Sequence, residues 1–367
     1  MMSEETRKKI VFFGCPLDCD EKEESVREKL EFEALPGESD DPYDPVMAMI
    51  RNEVPAELWS EKGSMQVPGW LRPHPPSGDR ERVNVHEFVG FTDRNGCLEF
   101  ASEIRRRVVD DILPHIPCMI AVDHSMTGGV IEALSEHYGS EHLSLVALDS
   151  HTDAIPVPVV SEAIQYDLDT NPGTLYDRDD PFLHNRPDSY NAGSFLLGLL
   201  DRGIVLPRQV FVLGVSDYPP KRAFRIKDPR VARFVGAYSD LKRRGVTIVT
   251  KNECLTSPSK LEHLLRRIDT SYVYISVDMD IGARNALEGV RFRDRQGLQE
   301  KQMYHLANAL RKLLSAGIEL AGLDITEINP RRAGRLFSSK KDATYRIAAN
   351  LIRKVAFGME AVPADRS

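Results

Sequence analysis

Seven short, nearly uninterrupted apolar runs recur along this chain, at 10–14, 118–122, 143–148, 210–215, 246–249, 272–277 and 318–325. Runs of this length without polar alternation describe strands buried on both faces, the condition of a parallel sheet covered by helices. The intervening segments supply those helices. Over 98–113, Ala101, Ile104, Val108 and Ile112 repeat at helical spacing, with Arg105 to Arg107 turned outward and Pro114 closing the element. Comparable patterns fall at 128–137, 193–202, 231–243, 260–268, 298–314 and 343–357. Repeated strand–helix units with right-handed crossovers predict a largely parallel sheet with helices on both faces. Ligands gather outside the carboxyl ends of the strands in such sheets, and there the chain concentrates its acidic and imidazole side chains.

The run 143–148 passes directly into Asp149-Ser150-His151-Thr152-Asp153, with metal-binding side-chain types at every second position. An extended strand would set Asp149 and His151 about 6.6 Å apart on one side. A curl at the strand end lets such a run offer oxygens and a nitrogen to two ions, which sit roughly 3.5–4 Å apart in two-metal hydrolytic sites. Ser276-Val277-Asp278-Met279-Asp280 again spaces two carboxylates at a strand end. A turn or helix N-cap accounts for such a pair in the plainest case; unpaired carboxylates so close would raise one another's pKa, whereas divalent cations keep them ionised. His124 follows the run 118–122, a place where a single histidine ordinarily serves as a hydrogen-bonded loop residue. Its neighbour Asp123 suits a group that orients the imidazole or the backbone. Glu327 follows the run 318–325, with a solvated strand-end carboxylate as the plain alternative.

A charged fraction of 28% and a hydrophobic fraction of 41% are those of an ordinary globular chain. The net charge of −8 and the lack of a long basic tract argue against nucleic-acid or acidic-membrane partners. No apolar stretch reaches the length of a membrane span, so no membrane role is expected. Five scattered cysteines without paired spacing point to a reducing compartment, with the cytoplasm as the expected location.

Taken together and in order, Val122-Asp123-His124-Ser125, Asp149-Ser150-His151-Thr152-Asp153, Ser276-Val277-Asp278-Met279-Asp280 and Gly322-Leu323-Asp324-Ile325-Thr326-Glu327-Ile328-Asn329-Pro330 resemble the successive motifs of the arginase/agmatinase (ureohydrolase) family. The resemblance spans roughly 116–357, with a weaker echo in Phe13-Gly14-Cys15-Pro16-Leu17-Asp18. It implies an arginase-like three-layer α/β/α fold and a binuclear manganese centre, with Asp149 and Asp278 bridging the ions. His124 and Asp153 would complete one ion's ligands, and His151 and Asp280 the other's. Oxygen-rich donors with two imidazoles favour Mn²⁺ chemically, with Zn²⁺, Fe²⁺ and Co²⁺ as alternatives. The implied reaction is hydrolysis of a guanidino or related amidine C–N bond by a metal-bridging hydroxide. Glu327 would hold the small cationic substrate and Asp153 handle the proton. The family's common trimers and hexamers imply a homo-oligomer.

The chain departs from the family pattern in three places. Ala121-Val122 replaces the usual paired glycines, Gly282-Ala283-Arg284 the usual Asp-Pro, and Ala192 a histidine implicated in proton transfer or substrate contact. His184 is the nearby histidine that offers a substitute catalytic group, with a surface-loop role as the plainer reading. Tyr166, Asp167, Tyr176 and Phe182 are candidates for lining a cationic pocket. Residues 1–97 are expected to form the first strand and an irregular cover, and 98–367 the metallohydrolase core with a 154–191 loop insertion over the site. A catalytically altered metal-binding scaffold and a two-metal phosphoesterase are the rival readings.

Overall fold

Alternation within each strand decides the layering. In β1 (Ile10–Cys15), Val11, Phe13 and Cys15 enter one apolar layer while Ile10 and Phe12 enter the other, so both faces require helical cover. The computed structural model, which describes residues 8–33, 38–256, 258–293, 296–337 and 340–363, repeats this division across the sheet. Its strands are β1, β2 (Trp59–Ser64), β3 (Ile116–Ala121), β4 (Leu143–Leu148), β5 (Val210–Val215), β6 (Thr247–Thr250), β7 (Tyr272–Asp278) and β8 (Glu319–Thr326). They pair in the order β2-β1-β3-β8-β7-β4-β5-β6, every pairing parallel. A short antiparallel pair, β9 (Leu336–Phe337) and β10 (Lys340–Lys341), stands apart.

The helices are α1 (Glu23–Glu31), α2 (Tyr43–Glu53), α3 (Val85–Asp93), α4 (Gly96–Arg107), α5 (Thr127–Tyr138), α6 (Val157–Thr170), α7 (Phe195–Asp201), α8 (Pro229–Arg244), α9 (Lys251–Thr256), α10 (Pro258–Leu265), α11 (Glu300–Ser315) and α12 (Thr344–Phe357). Ile104 of α4, Leu134 of α5, Leu199 of α7 and Tyr238 of α8 fill one layer with Phe13, Met119 and Tyr274 of the sheet. Ile50 of α2, Leu310 of α11 and Leu351 of α12 fill the other with Phe12, Ile120 and Ile275. The helix-on-both-faces architecture expected from the apolar runs is thus the observed one.

Two segments are more ordered than the sequence suggested. The cover before residue 97 holds α1, α2 and α3 as well as an eighth strand. Asp41-Pro42 opens α2: Pro42 occupies its N-cap position and the Asp41 carboxylate accepts the backbone N–H of Tyr43. Strand β2 has no apolar run because, at the sheet edge, backbone pairing with β1 alone defines it. In the 154–191 insertion, α6 starts with Pro158 in its first turn, where a missing N–H costs nothing. The remainder is a loop tied down by Arg186, whose buried guanidinium reaches Asp93 at 2.8 Å and Glu21 at 3.1 Å. The cover itself is held by Asp18, a buried carboxylate 2.5 Å from Arg331 and 3.3 Å from Lys29. Burial outweighs that pairing at Lys29, whose ammonium is brought down to about 8. Among the described residues all five cysteines are free and buried, and no helix is long and apolar enough to cross a membrane.

Candidate metal centre

Strands β3, β8, β7 and β4 are consecutive neighbours, so their carboxyl ends lie side by side at the middle of the sheet. This juxtaposition gathers His124, Glu327, Asp278 with Asp280, and Asp149 to Asp153. His124 Nδ1 faces Asp153 Oδ2 at 2.7 Å, Asp278 Oδ2 at 3.1 Å and Asp149 Oδ2 at 3.4 Å. His151 Nδ1 lies 2.9 Å from Asp280 Oδ2 and 3.8 Å from Asp149 Oδ1. Two groups of donors result, His124/Asp149/Asp153/Asp278 and Asp149/His151/Asp280, and Asp149 turns one oxygen to each. Asp278 belongs to the first group, and its side chain also interacts with Asp280 of the second. Asp278 Oδ1 accepts the Asp280 N–H at 2.7 Å, just as Asp149 Oδ1 accepts the His151 N–H at 2.6 Å. Capping a turn and facing the cluster are therefore simultaneous duties of this side chain.

The electrostatics of the cluster call for cations. Burial, together with the Asp153 charge, pushes Asp149 up to about 8. Burial and the charges of Asp280 and Asp149 carry Asp278 well above the usual carboxylate range. Burial alone would lower His124, but the close carboxylates of Asp149, Asp153 and Asp278 outweigh it and, with no cation present, raise the imidazole well above the usual histidine range. At Asp280, burial is outweighed in the opposite direction by His151. His124 Nδ1 and Asp280 Oδ2 are buried without a hydrogen-bond partner despite their short approaches. Lone pairs set against one another in this way match the donor set of divalent ions.

Serine and aspartate side chains not singled out in the sequence fix the first imidazole. Ser276 Oγ donates to Asp324 Oδ1 at 2.6 Å, so its lone pair must receive the Nε2–H of His124 at 2.8 Å. In the neutral ring, the form that binds a metal, Nδ1 is then the nitrogen whose lone pair faces the cluster. Thr127 and Tyr274 donate to the other Asp324 oxygen. Alternation along β7 was the available signal: Ser276 and Asp278 share one side of that strand. Ser276→Ala is expected to weaken metal binding about 10–100-fold, the usual cost of removing a ligand's supporting partner. Metal titration of the chelated protein measures it.

A cavity of about 540 Å³ opens onto the cluster. His151, Asp153, Asp278, Glu327, Arg291 and Ala192 line it, with Ile155, Val160 and Phe292 forming part of an apolar wall. Glu327 is 1% exposed; its Oε1 accepts the His124 N–H and its Oε2 has no partner. Asp153 and Glu327 both adopt left-handed backbone conformations, with φ of 48° and 60°. Such conformations cost of order 1–3 kcal/mol in non-glycine residues and concentrate at functional sites.

Not every candidate converges. Tyr176 and Phe182 line the cavity, whereas Tyr166 stacks toward Arg230 and Asp167 bonds Asn171 and Thr174. His184 lies outside it, exposed, with Nε2 on the Arg178 carbonyl at 2.7 Å. It therefore does not replace the side chain lacking at Ala192. His184→Ala should leave kcat within about twofold of wild type, as expected for a surface substitution, in a steady-state assay at matched metal content.

Comparison with known proteins agrees with this geometry. The family model described as "Arginase family" matches residues 73–358, starting well before the first of the sequence motifs. An arginase of Staphylococcus aureus (strain COL) is 23% identical over 279 residues, covering 74% of this chain and 76% of its own. Proclavaminate amidino hydrolase from Streptomyces clavuligerus superposes with a TM-score of 0.58 at 15% identity, over 95% of this chain and 91% of its own. Formimidoylglutamase from Bacillus subtilis gives 0.56 at 16% identity, over 98% and 89% respectively. With the family model spanning most of its length and its donors at the ends of four adjacent strands, the chain belongs to the arginase family.

Proposed function

We propose that the chain is a metal-dependent hydrolase that cleaves a C–N bond in a small cationic substrate bearing a guanidino or related amidino group. The observation that carries this reading is the pair of buried His/Asp donor groups sharing Asp149 at the floor of the cavity, with the unpartnered Glu327 Oε2 beside them. His124, Asp149, Asp153 and Asp278 would hold one ion, and Asp149, His151 and Asp280 a second. Mn²⁺ is the proposed metal, since carboxylates outnumber imidazoles in both sets. Bound there, divalent ions lower the pKa of water and so make a nucleophile available near neutral pH.

The chain's own residues supply binding and proton handling. Glu327 Oε2 accepts an N–H of the planar amidino carbon's substituents, a charge-assisted bond in a buried site. The apolar wall of Ile155, Val160 and Phe292 excludes water from the bond to be broken. Asp153, which lines the cavity, receives a proton in this reading and returns it to the departing amine. Family membership and the names of the relatives, arginase, amidino hydrolase and formimidoylglutamase, support a nitrogen-rich carbon centre over a phosphoester. Free buried cysteines are in keeping with the proposed cytoplasmic location.

The test is an assay of purified, Mn²⁺-loaded protein against agmatine, arginine, 4-guanidinobutyrate and formiminoglutamate, with a generic phosphoester as control. Release of urea or formamide from one of the four is expected. Turnover of the phosphoester alone, or of nothing at full metal occupancy, would overturn the proposal.

A further inference from the structure

The carboxylate assigned to the substrate already has a guanidinium on it. Residues 290 and 291 run antiparallel to 327 and 328: Val290 bridges Ile328, and the Arg291 N–H donates to the Glu327 carbonyl at 3.1 Å. This pairing points the Arg291 side chain back at Glu327. Nη1 lies 3.0 Å from Glu327 Oε1, 2.9 Å from Asp123 Oδ2 and 3.3 Å from the Val122 carbonyl. The guanidinium is 3% exposed and Nε stands 3.7 Å from Asp18 Oδ1. Glu327, which lines the cavity, thus gives Oε1 to both Arg291 and the His124 N–H, while its Oε2 is buried without a partner.

We infer that Arg291 is a positioning and specificity-determining residue: by filling one oxygen of Glu327, it leaves the substrate a single acceptor atom and fixes where that atom points. The inference rests on the hydrolase reading above. Glu327 alone would present two oxygens, and a carboxylate of that kind takes a guanidinium as a two-toothed fork. With Oε1 engaged the substrate meets Oε2 through one N–H, so groups that carry one free N–H edge fit as well as an unsubstituted guanidinium. Arg291 also offsets part of the Glu327 charge from the side away from the open oxygen. The left-handed backbone at Glu327 is held from both sides, by the Val290–Ile328 bridge and by the side-chain pairing.

A double-mutant cycle decides whether Arg291 acts through Glu327. Metal-loaded wild type, Arg291→Gln, Glu327→Gln and the double variant are compared on whichever amidino compound is turned over, with metal content measured in each. Arg291→Gln should lower kcat/KM about tenfold or more, the scale of a charge-assisted bond, and add little to the loss already caused by Glu327→Gln. Fully multiplicative losses at equal metal content would overturn the assignment. Arg291→Lys keeps the cation should Arg291→Gln fold poorly; it is expected to retain part of the rate and to show the same non-additivity.

A binding measurement separates this inference from the activity itself. Guanidinium chloride at millimolar concentration should stabilise Arg291→Ala in a thermal-shift experiment by entering the vacated seat, and by clearly more than it stabilises wild type, where that seat is filled. An equal response from both proteins would show that Arg291 does not occupy a guanidinium seat on Glu327. Absence of turnover on every amidino compound would instead count against the hydrolase reading and leave this binding outcome to stand or fall separately.

Discussion

Asp149→Ala protein is expected to come through purification and Mn²⁺ reconstitution without two bound equivalents of metal, and with amidino hydrolysis at background. The reason is the position of its carboxylate, one oxygen 3.4 Å from His124 Nδ1 and the other 3.8 Å from His151 Nδ1. No other side chain among the described residues belongs to both donor groups. Losing it removes a ligand from each ion and the charge that keeps the ions together. Asp278→Ala should differ. It strips one ligand from the His124 group and the cap on the Asp280 N–H, so weakened first-ion binding with partial retention of the second is the expected pattern. Metal analysis of both variants checks this, and two full equivalents in Asp149→Ala would refute the shared-ligand geometry.

The same carboxylates set how the metal-free protein responds to pH. Asp149, held at about 8, and Asp278, raised with it, bind protons more tightly folded than unfolded. Their contribution is fully present below the ordinary aspartate pKa and is lost as pH rises toward 8. His124, also raised, has the same sign: its stabilisation is present below the ordinary histidine pKa and lost as pH climbs through its folded value. Asp280, lowered, acts oppositely, but only in acid below that window. Chelated protein should therefore melt at progressively lower temperature between about pH 5 and 8 in buffers of equal ionic strength, and Mn²⁺ should flatten the dependence. A metal-free Tm that rises over this interval would contradict the assignment of these shifts to burial and like charge.

The fold was legible wherever burial on both faces left an apolar run, because such a strand has no other stable setting. β2 was not, since an edge strand is defined by backbone pairing that leaves no trace in side-chain pattern. The six metal-ligand candidates were legible through their strand-end positions, which the topology converts into proximity. What the sequence could not show was orientation. Nothing in Asp278-Met279-Asp280 says that one Asp278 oxygen is taken by a backbone N–H, and nothing near Arg291 reveals its contact with Glu327, because the antiparallel pairing of 290 with 328 joins segments of no recognisable strand pattern. His184 illustrates the converse: a side chain of suitable type in a suitable loop, carried away from the cavity by the packing of the 171–190 segment.

Glu327→Gln is expected to bind metal as wild type does and yet lose catalytic efficiency by about 10–150-fold, the value of one hydrogen bond to a charged acceptor. Glu327 is in neither donor group, so metal content has no reason to change. The substitution preserves size, and an amide oxygen can still accept the His124 N–H now bonded to Oε1 at 3.0 Å. The amide NH₂ would then stand where Oε2 is, turning an acceptor in the cavity into a donor aimed at the substrate's own N–H groups. Burial raises Glu327 and the Arg291 guanidinium opposes that rise; a substrate cation also favours the carboxylate, an interaction that the amide of the variant does not provide. Since that charge pairing holds the amidino carbon in place through the reaction, the loss should fall on kcat as well as on KM. A rise in KM at constant kcat would confine Glu327 to ground-state binding. Unchanged kcat and KM at full metal occupancy would remove it from the site altogether.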